Sequence, residues 1–390
     1  MKIRFANEND KAGIYKTMGY CFNTPYNSIK NNIENGSFAK NEKFVVAVDD
    51  NNDIKSLFAI IDYNTYFEGK IAKMAGIAGV SSLPENRGEG NIEDLFKFAL
   101  KYMNDNDFIF SALGPFAFQY YRKFGYEWCY TWQLVSIPIE DLKNFKSAFT
   151  YEHIYEDKFA IFNSFRNEII KNINGAIIRD KELLNDKWQQ YVNSTSHVYV
   201  AKNENNEIVS AMVYHQENRE IKVSEMYFKD EISRQYLLAF LYRHRSNTDS
   251  VELILANDDE IRNILPSPRI KYWNWPNKMG RVVNVKKALE LLRIEDEFNG
   301  SFTINVEDKH ALWNNKIFKI TCLNNKLVVE EVEEKADFEI SIQRITQLIY
   351  GHIDAKEAIK LNLIKVNNEN KTNLLKKVFV KRTTMLWQEF

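Results

Sequence analysis

Cysteine is scarce: 3 occur among 390 residues, Cys21, Cys129 and Cys322, far apart and without a C-x-x-C pair. That excludes a disulfide framework and a thiolate zinc site, and fits a reducing compartment. Net charge is nearly absent as well. The 52 basic and 53 acidic residues leave a formal −1, so there is no broad basic field of the kind that condenses on nucleic acid or anionic lipid. No apolar run approaches the ~20 residues that a membrane-spanning helix needs. Met1–Phe5 runs straight into a strand-like pattern, not into an apolar leader. Neither a low-complexity tract nor a short-period repeat is found. The expected setting is the cytoplasm, with a small or neutral partner and neither nucleic acid nor membrane. The six histidines (His153, His197, His215, His244, His310 and His352) show no ligand-like spacing and read as structural or exposed, so no metal is expected.

What is present is length and apolar content. With 390 residues and 45% hydrophobic composition, the chain can build two or three cores. From Lys2 to about Pro138, β-rich and helical runs alternate. A strand at Lys2–Phe5 leads to a helix capped at Asn9 or Asp10 and running through Phe22. A hairpin follows at Lys43–Val48 and Lys55–Tyr66, then a strand at Lys73–Ser82. Next come an amphipathic helix at Ile92–Met103, a buried strand at Phe108–Leu113, a helix at Phe116–Phe124 and a long strand at Tyr126–Ile137. The stretch from about Thr150 to Asn277 repeats this style. Pro266, Pro268 and Pro276, with Trp273 and Trp275, predict a linker or docking segment. Beyond it, from Met279, a smaller set of strands and helices begins. The expected class is therefore α/β (α+β) in three domains: residues 1–148, 149–280 and 281–390.

Chemistry concentrates in Val80-Ser81-Ser82-Leu83-Pro84-Glu85-Asn86-Arg87-Gly88-Glu89-Gly90-Asn91-Ile92. A strand ends in a Pro-marked turn, an arginine follows, then glycines, and a helix begins at once. Bare amides and the positive helix end suit a pyrophosphate, glycine admits close approach, and Arg87 adds a charge-assisted contact. The stretch reads equally well as a plain strand–turn–helix junction with glycines at tight angles. It is neither a Walker loop nor a G-x-G-x-x-G fingerprint. Downstream, Tyr121-Arg122-Lys123-Phe124-Gly125-Tyr126 places a short helix before a glycine, and the chain closes on Leu386-Trp387-Gln388-Glu389-Phe390.

Together these segments resemble the GCN5-related N-acetyltransferases (GNAT) of the Eis family. That superfamily's coenzyme A loop reads Arg/Gln-x-x-Gly-x-Gly/Ala. Arg87 and Gly90 match it, and Ile92 departs at the last position. Leu83–Arg87 resembles the family's apolar-Pro-x-x-Arg approach to the loop, Tyr121–Tyr126 its Tyr-x-Lys/Arg-Phe-Gly-Tyr segment, and Glu389-Phe390 its terminus. The resemblance implies tandem GNAT folds, each a mixed central sheet flanked by helices, followed by a sterol-carrier-protein-like (SCP2-like) domain. It implies acetyl-CoA as co-substrate, a small-molecule amine or a lysine side chain as acceptor, and a homo-oligomer, a hexamer in the family.

The implied reaction is direct transfer of an acetyl group to an amine. The acceptor ammonium loses a proton and the departing thiolate gains one. By resemblance Tyr121 is the acid and the C-terminal carboxylate of Phe390 the base. A phenol with a pKa of about 10 suits the first task. On its residues alone Tyr121 reads first as a core aromatic beside Phe116, Phe118 and Phe124. Val80, Ser81 and Ser82 are expected to hold the pantetheine arm through backbone groups, and Arg87, Gly88, Glu89, Gly90, Asn91 and Ile92 the diphosphate. Gly88 and Glu89 stand where some relatives carry further arginines, which predicts weaker cofactor binding. Phe22, Tyr26 and Glu389 are candidates for the acceptor pocket, and read equally as packing and solvated surface. Lys229-Asp230-Glu231-Ile232 puts acids where the second domain would need glycines, so no cofactor is expected there. The competing readings are a lipid-carrier-like binding protein with a vestigial acyltransferase fold, and transfer of a longer acyl chain. Charge alternation along Lys326–Glu334 speaks against an apolar lipid tunnel.

Overall fold

The computed structural model describes residues 1–35, 42–295 and 298–388. Their contacts form two compact units. The first holds Met1–Tyr130, Asn277–Arg382 and Gln388, and the second Thr131–Pro276 and Thr383–Trp387.

The first unit opens with β1 (Lys2–Phe5), α1 (Lys11–Cys21), α2 (Tyr26–Asn35), β2 (Glu42–Val48), β3 (Ile54–Phe67) and β4 (Lys70–Ser82). It continues through α3 (Asn91–Asp105), β5 (Phe108–Leu113) and α4 (Phe118–Arg122), and β6 (Glu127–Pro138) carries the chain into the second unit. The first helix starts at Lys11, with Asp10 at its N-cap position as expected, and a 3-10 turn precedes it. Asn7 caps a 3-10 turn at Glu8–Asp10 through a reciprocal box with Asp10. Asp10 is then bound by Arg4 at 2.6 and 2.9 Å, so it serves as a buried anchor and not as a simple cap. Glu68 and Gly69, both at positive φ, make the tight β3–β4 turn. In α3 the 3.6-residue spacing puts Leu95, Phe96, Ala99, Leu100 and Met103 wholly into the core, where Phe96 stacks on Phe124 at 4.3 Å.

The second unit contains β7 (Thr150–His153), α5 (Glu156–Ile169), α6 (Lys181–Val192), β8 (His197–Lys202), β9 (Ile208–Glu217), β10 (Glu220–Phe228), α7 (Glu231–Tyr242) and β11 (Ser250–Leu255). Its strands run in the order β6-β11-β10-β9-β8-β7. β12 (Lys271–Val282) returns the chain to the first unit, whose large sheet has the order β1-β2-β3-β4-β5-β12. The segment expected as a linker or docking segment, Pro266 to Pro276, does lead from one unit to the other, but its second half is strand and not loop. Pro266 and Pro268 precede a strand, and Pro276 lies inside it where the chain passes between units. Met279–Val282 are buried and pair antiparallel with Leu113–Phe110.

The first unit then adds α8 (Val285–Leu291), β13 (Ser301–Glu307), β14 (Ile317–Leu323), β15 (Lys326–Val332), β16 (Phe338–Ser341), α9 (Ile342–Tyr350), α10 (Ala355–Lys360), β17 (Lys365–Val366) and α11 (Thr372–Val378). Its five strands form a separate sheet, β15-β14-β13-β16-β17. An ion pair ties this sheet to β12: the fully buried Arg281 donates to both oxygens of Asp308 at 2.9 and 2.8 Å. Among the described residues no helix is long and apolar enough to cross a membrane.

Candidate active site

The site begins with a fault in β4. Leu57 faces Ser81 and Ala59 faces Ala78, so Gly79 and Val80 together oppose Phe58. This bulge is possible because Gly79 takes a φ of +65°. The parallel ladder to β5 also stops there: it runs from Lys73/Phe108 to Ile77/Leu113 and no further. Residues 78–82 therefore keep β3 on one edge and carry no ladder to β5 on the other. Unpaired backbone groups are costly when buried, so such an edge favours an extended ligand that replaces the missing strand. The Ser81 hydroxyl at this edge is buried and has no hydrogen-bond partner among the described residues.

The loop that follows supplies an anion cradle. After a 3-10 turn at Pro84–Asn86, Gly88 and Gly90 adopt φ values of +83° and +82°, and Asn91 begins α3. The N–H groups of Gly88, Glu89, Gly90, Asn91 and Ile92 donate to no other described residue; the next, Glu93, already bonds the Gly90 carbonyl at 2.9 Å. Five consecutive amides at the positive end of a 15-residue helix form a ready anion site. Arg87 is oriented by its Nε bond to the Ser82 carbonyl at 3.0 Å. The Glu89 carboxylate accepts from the Asn91 amide at 3.1 Å.

Edge and cradle face one groove of about 1020 Å³, which takes in Val80, Ser81 and Ser82 together with every residue from Arg87 to Ile92. All nine sequence-predicted cofactor residues thus share one surface. Phe22 lines it too, half-exposed, whereas Tyr26 opens α2 with its ring edge-on to Tyr15 at 5.6 Å and lies outside the lining. Glu389 and Phe390 lie outside the described residues.

Tyr121 is buried behind the groove, its ring 5.3 Å from each of the rings of Phe116 and Tyr120, which do line it. Burial raises its phenol well above the ordinary value, with Tyr120 and Tyr126 adding to the effect. It stays protonated across the physiological range, the state a proton donor needs.

The lining also holds residues that the sequence did not single out, among them Glu93, Tyr120, Lys123, Lys309 and His310. The last two come from the turn after β13. His310 reaches Glu93, in the first turn of α3, at 3.5 Å. No local pattern links residue 310 to residue 93; only the fold does.

The second unit has a comparable splay with different chemistry. Its β10–β11 ladder stops at Val223/Leu253, beside a bulge at Ser224. At the start of α7, however, Asp230 caps the helix itself, accepting from Ser233 N at 2.8 Å. A carboxylate thus occupies the place where the first unit presents bare amides. The cavity of about 570 Å³ there is walled by Glu231, Asp258, Asp259 and Glu260, a lining that repels polyphosphate. The segment Thr383–Trp387 docks in this unit. Asn174 N donates to Thr383 O at 2.9 Å, Trp132 Nε1 to Leu386 O at 3.1 Å, and Trp387 lies 5.3 Å from the Tyr227 ring.

Comparison with known proteins agrees with this architecture. Residues 2–129 and 175–294 each match a family model for an acetyltransferase (GNAT) domain, and residues 285–387 one for a sterol carrier protein domain. Among solved structures, the chain resembles a conserved protein of unknown function, probable N-acyltransferase, from Enterococcus faecalis V583, at 20% identity and a TM-score of 0.90 over 100% of this chain and 99% of that one. It resembles a GCN5-related N-acetyltransferase from Anabaena variabilis ATCC 29413 at 19% identity and a TM-score of 0.87, over 100% of both chains. It also resembles Eis1 from Mycobacterium abscessus, at 14% identity and a TM-score of 0.81, over 100% of both. At these identities the likeness is one of fold. No curated protein matches the sequence.

The class follows from the matched domains: this is an acyltransferase enzyme built on two GNAT acetyltransferase domains, with a sterol-carrier-type domain completing the chain. GNAT domains generally use acetyl-CoA as donor.

Proposed function

We propose that the protein is an acetyl-CoA-dependent N-acetyltransferase of the Eis type, acting on an amine: an aminoglycoside, a polyamine or a lysine side chain. The observation that carries the reading is the run of five bare amides, Gly88–Ile92, opening onto the same groove as the unpaired edge of β4. The cradle suits a diphosphate, and the edge suits the two amides of a pantetheine arm, which can pair with it as a strand would. The orphaned Ser81 hydroxyl offers that arm a further contact.

In this reading the acceptor nitrogen forms a bond to the acyl carbon as the carbon–sulfur bond breaks. Tyr121 delivers the proton that the leaving thiolate takes up, and the Phe390 carboxylate accepts the one the ammonium loses; that second role rests on the family resemblance. We assign residues 1–148 to the donor site, 149–280 to a cofactor-free GNAT-like domain, and 281–390 to the sterol-carrier-type domain whose end completes the active site. The same resemblance underlies a cytoplasmic homo-oligomer, hexameric in form.

The test is thiol release from acetyl-CoA across a panel of amines. Tyr121→Phe should lower kcat by about 10²- to 10⁴-fold, the range for a positioned general acid, with little change in the Kd for acetyl-CoA. Thiol release that continues undiminished in Tyr121→Phe and in a chain lacking Phe390 rules out the assigned roles. A panel of longer acyl-CoA donors separates acetyl from longer-chain transfer.

A further inference from the structure

The groove has a second cationic end that the cradle does not use. Lys123, at the C-terminal end of α4, lines it and has no carboxylate partner among the described residues; its ammonium lies 5.9 Å over the Tyr120 ring. Lys309, on the turn after β13, lines it as well, with its side chain 81% exposed and only Glu307 near, at 3.9 Å. Between them His310 packs edge-on to Phe124 at 5.8 Å and reaches Glu93 at 3.5 Å. That contact sets the turn from the sterol-carrier-type domain beside the first turn of α3, the helix whose start carries the cradle. The same three residues, Lys123, Lys309 and His310, also line a pocket of about 320 Å³ together with Ser341–Gln343 and two carboxylates, Asp308, which is paired with Arg281, and Glu307.

The carboxylates in the groove are largely spoken for. Glu93 pairs with Lys97 at 2.9 Å as well as with His310, and Glu89 accepts from Asn91. Burial lowers the His310 imidazole and nearby Arg281 lowers it further, so this ring is neutral at physiological pH and the available positive charges at this end of the groove, away from Arg87, are the two lysines. Two ammonium groups on separate domains, an open pocket and a neutral spacer make a site for a compact dianion standing apart from the diphosphate.

We infer that Lys123 and Lys309 bind the ribose 3′-phosphate of the acyl-CoA donor, so that the sterol-carrier-type domain supplies one wall of the cofactor site. This rests on the proposed use of acyl-CoA and adds to it a specificity: the enzyme discriminates coenzyme A from its 3′-dephospho form. Each charge-assisted phosphate contact contributes in the range that makes about a tenfold difference in affinity.

Calorimetry on the full chain with coenzyme A and with 3′-dephospho-coenzyme A tests this. The expected result is tighter binding of coenzyme A, about tenfold or more. Lys309→Ala and Lys123→Ala should each narrow that gap while leaving the affinity for the dephospho form unchanged, and circular dichroism confirms that the variants fold. Equal binding of the two ligands by the unaltered protein, or a gap that survives both substitutions, overturns the inference and leaves the proposed donor intact. Failure of both ligands to bind overturns the proposed donor and the inference together.

Discussion

Gly125→Ala is a change of one methyl group with a large expected effect. Gly125 sits at φ +84°, where any side chain is strained, at a cost of about 1–2 kcal/mol. A Cβ there would also lie 1.5 Å from Arg281 Nη1 and 2.7 Å from its Cζ. The guanidinium is fully buried and cannot swing out to solvent. It must therefore leave Asp308, and breaking a buried ion pair costs about 3–5 kcal/mol because the stranded charge has no water. The two terms come to about 4–7 kcal/mol, a large part of the roughly 5–15 kcal/mol of a typical domain.

Asp308 also accepts from the backbone N–H groups of His310 at 3.1 Å and Ala311 at 3.2 Å. The turn carrying Lys309 therefore loosens along with it. Thermal unfolding followed by circular dichroism should show a fall of at least about 8 °C, at about 2–4 °C per kcal/mol for a unit of this size. A second background isolates the cause. In Arg281→Met/Asp308→Asn the pair is gone, and the same Gly125→Ala change should cost only the backbone strain, about 1–2 kcal/mol. Equal losses in both backgrounds refute the claim that the arginine is what requires glycine at this position.

Two further outcomes are expected. Glu89→Gln keeps an acceptor for Asn91 and removes a negative charge beside the cradle; at about 1 kcal/mol for an exposed charge near an anion, the Kd for acetyl-CoA should fall roughly fivefold, less at high salt. An unchanged or raised Kd in a calorimetric titration counts against a diphosphate at Gly88–Ile92. In the second unit, burial pushes the Glu225 carboxyl up, but Arg179 and Arg166 pull harder and hold it below the usual range, helped by hydrogen bonds from Tyr191 at 2.9 Å and Tyr227 at 2.8 Å. A depressed folded-state pKa gives stability that is present above about pH 4.3, the unfolded value, and is lost as pH falls below it. Glu225→Gln should therefore melt earlier at pH 7, by about 3–5 kcal/mol, and lose less than the unaltered protein on acidification; parallel losses from pH 5 to 3 exclude this account.

Much of the framework is legible in the chain. Phe108–Leu113 has the same bounds in sequence and structure, being a dense β-forming run closed off by polar turns. What escaped is short or polar: β7 and β16 have four residues each, β17 has two, and α2 is largely asparagine and charge. β12 was hidden by its prolines and exposed tryptophans, since it is buried only from Lys278 onward.

The cradle was readable because its chemistry is local: glycines, an arginine and a helix start within a few residues of each other dictate bare amides whatever surrounds them. The bulge and splay of β4 depend on where β5 stops, and that is a matter of pairing across the sheet. Gly125 could be seen as a glycine, yet its reason is Arg281, brought against it by β12. His310 meets α3 from a turn that the buried Arg281–Asp308 pair helps to hold. By itself, then, the sequence determined the elements and the anion-binding loop, because these follow from neighbours along the chain. Tertiary structure alone decided which side chains close the groove, because burial of charge and strand register are set by residues tens to hundreds of positions apart.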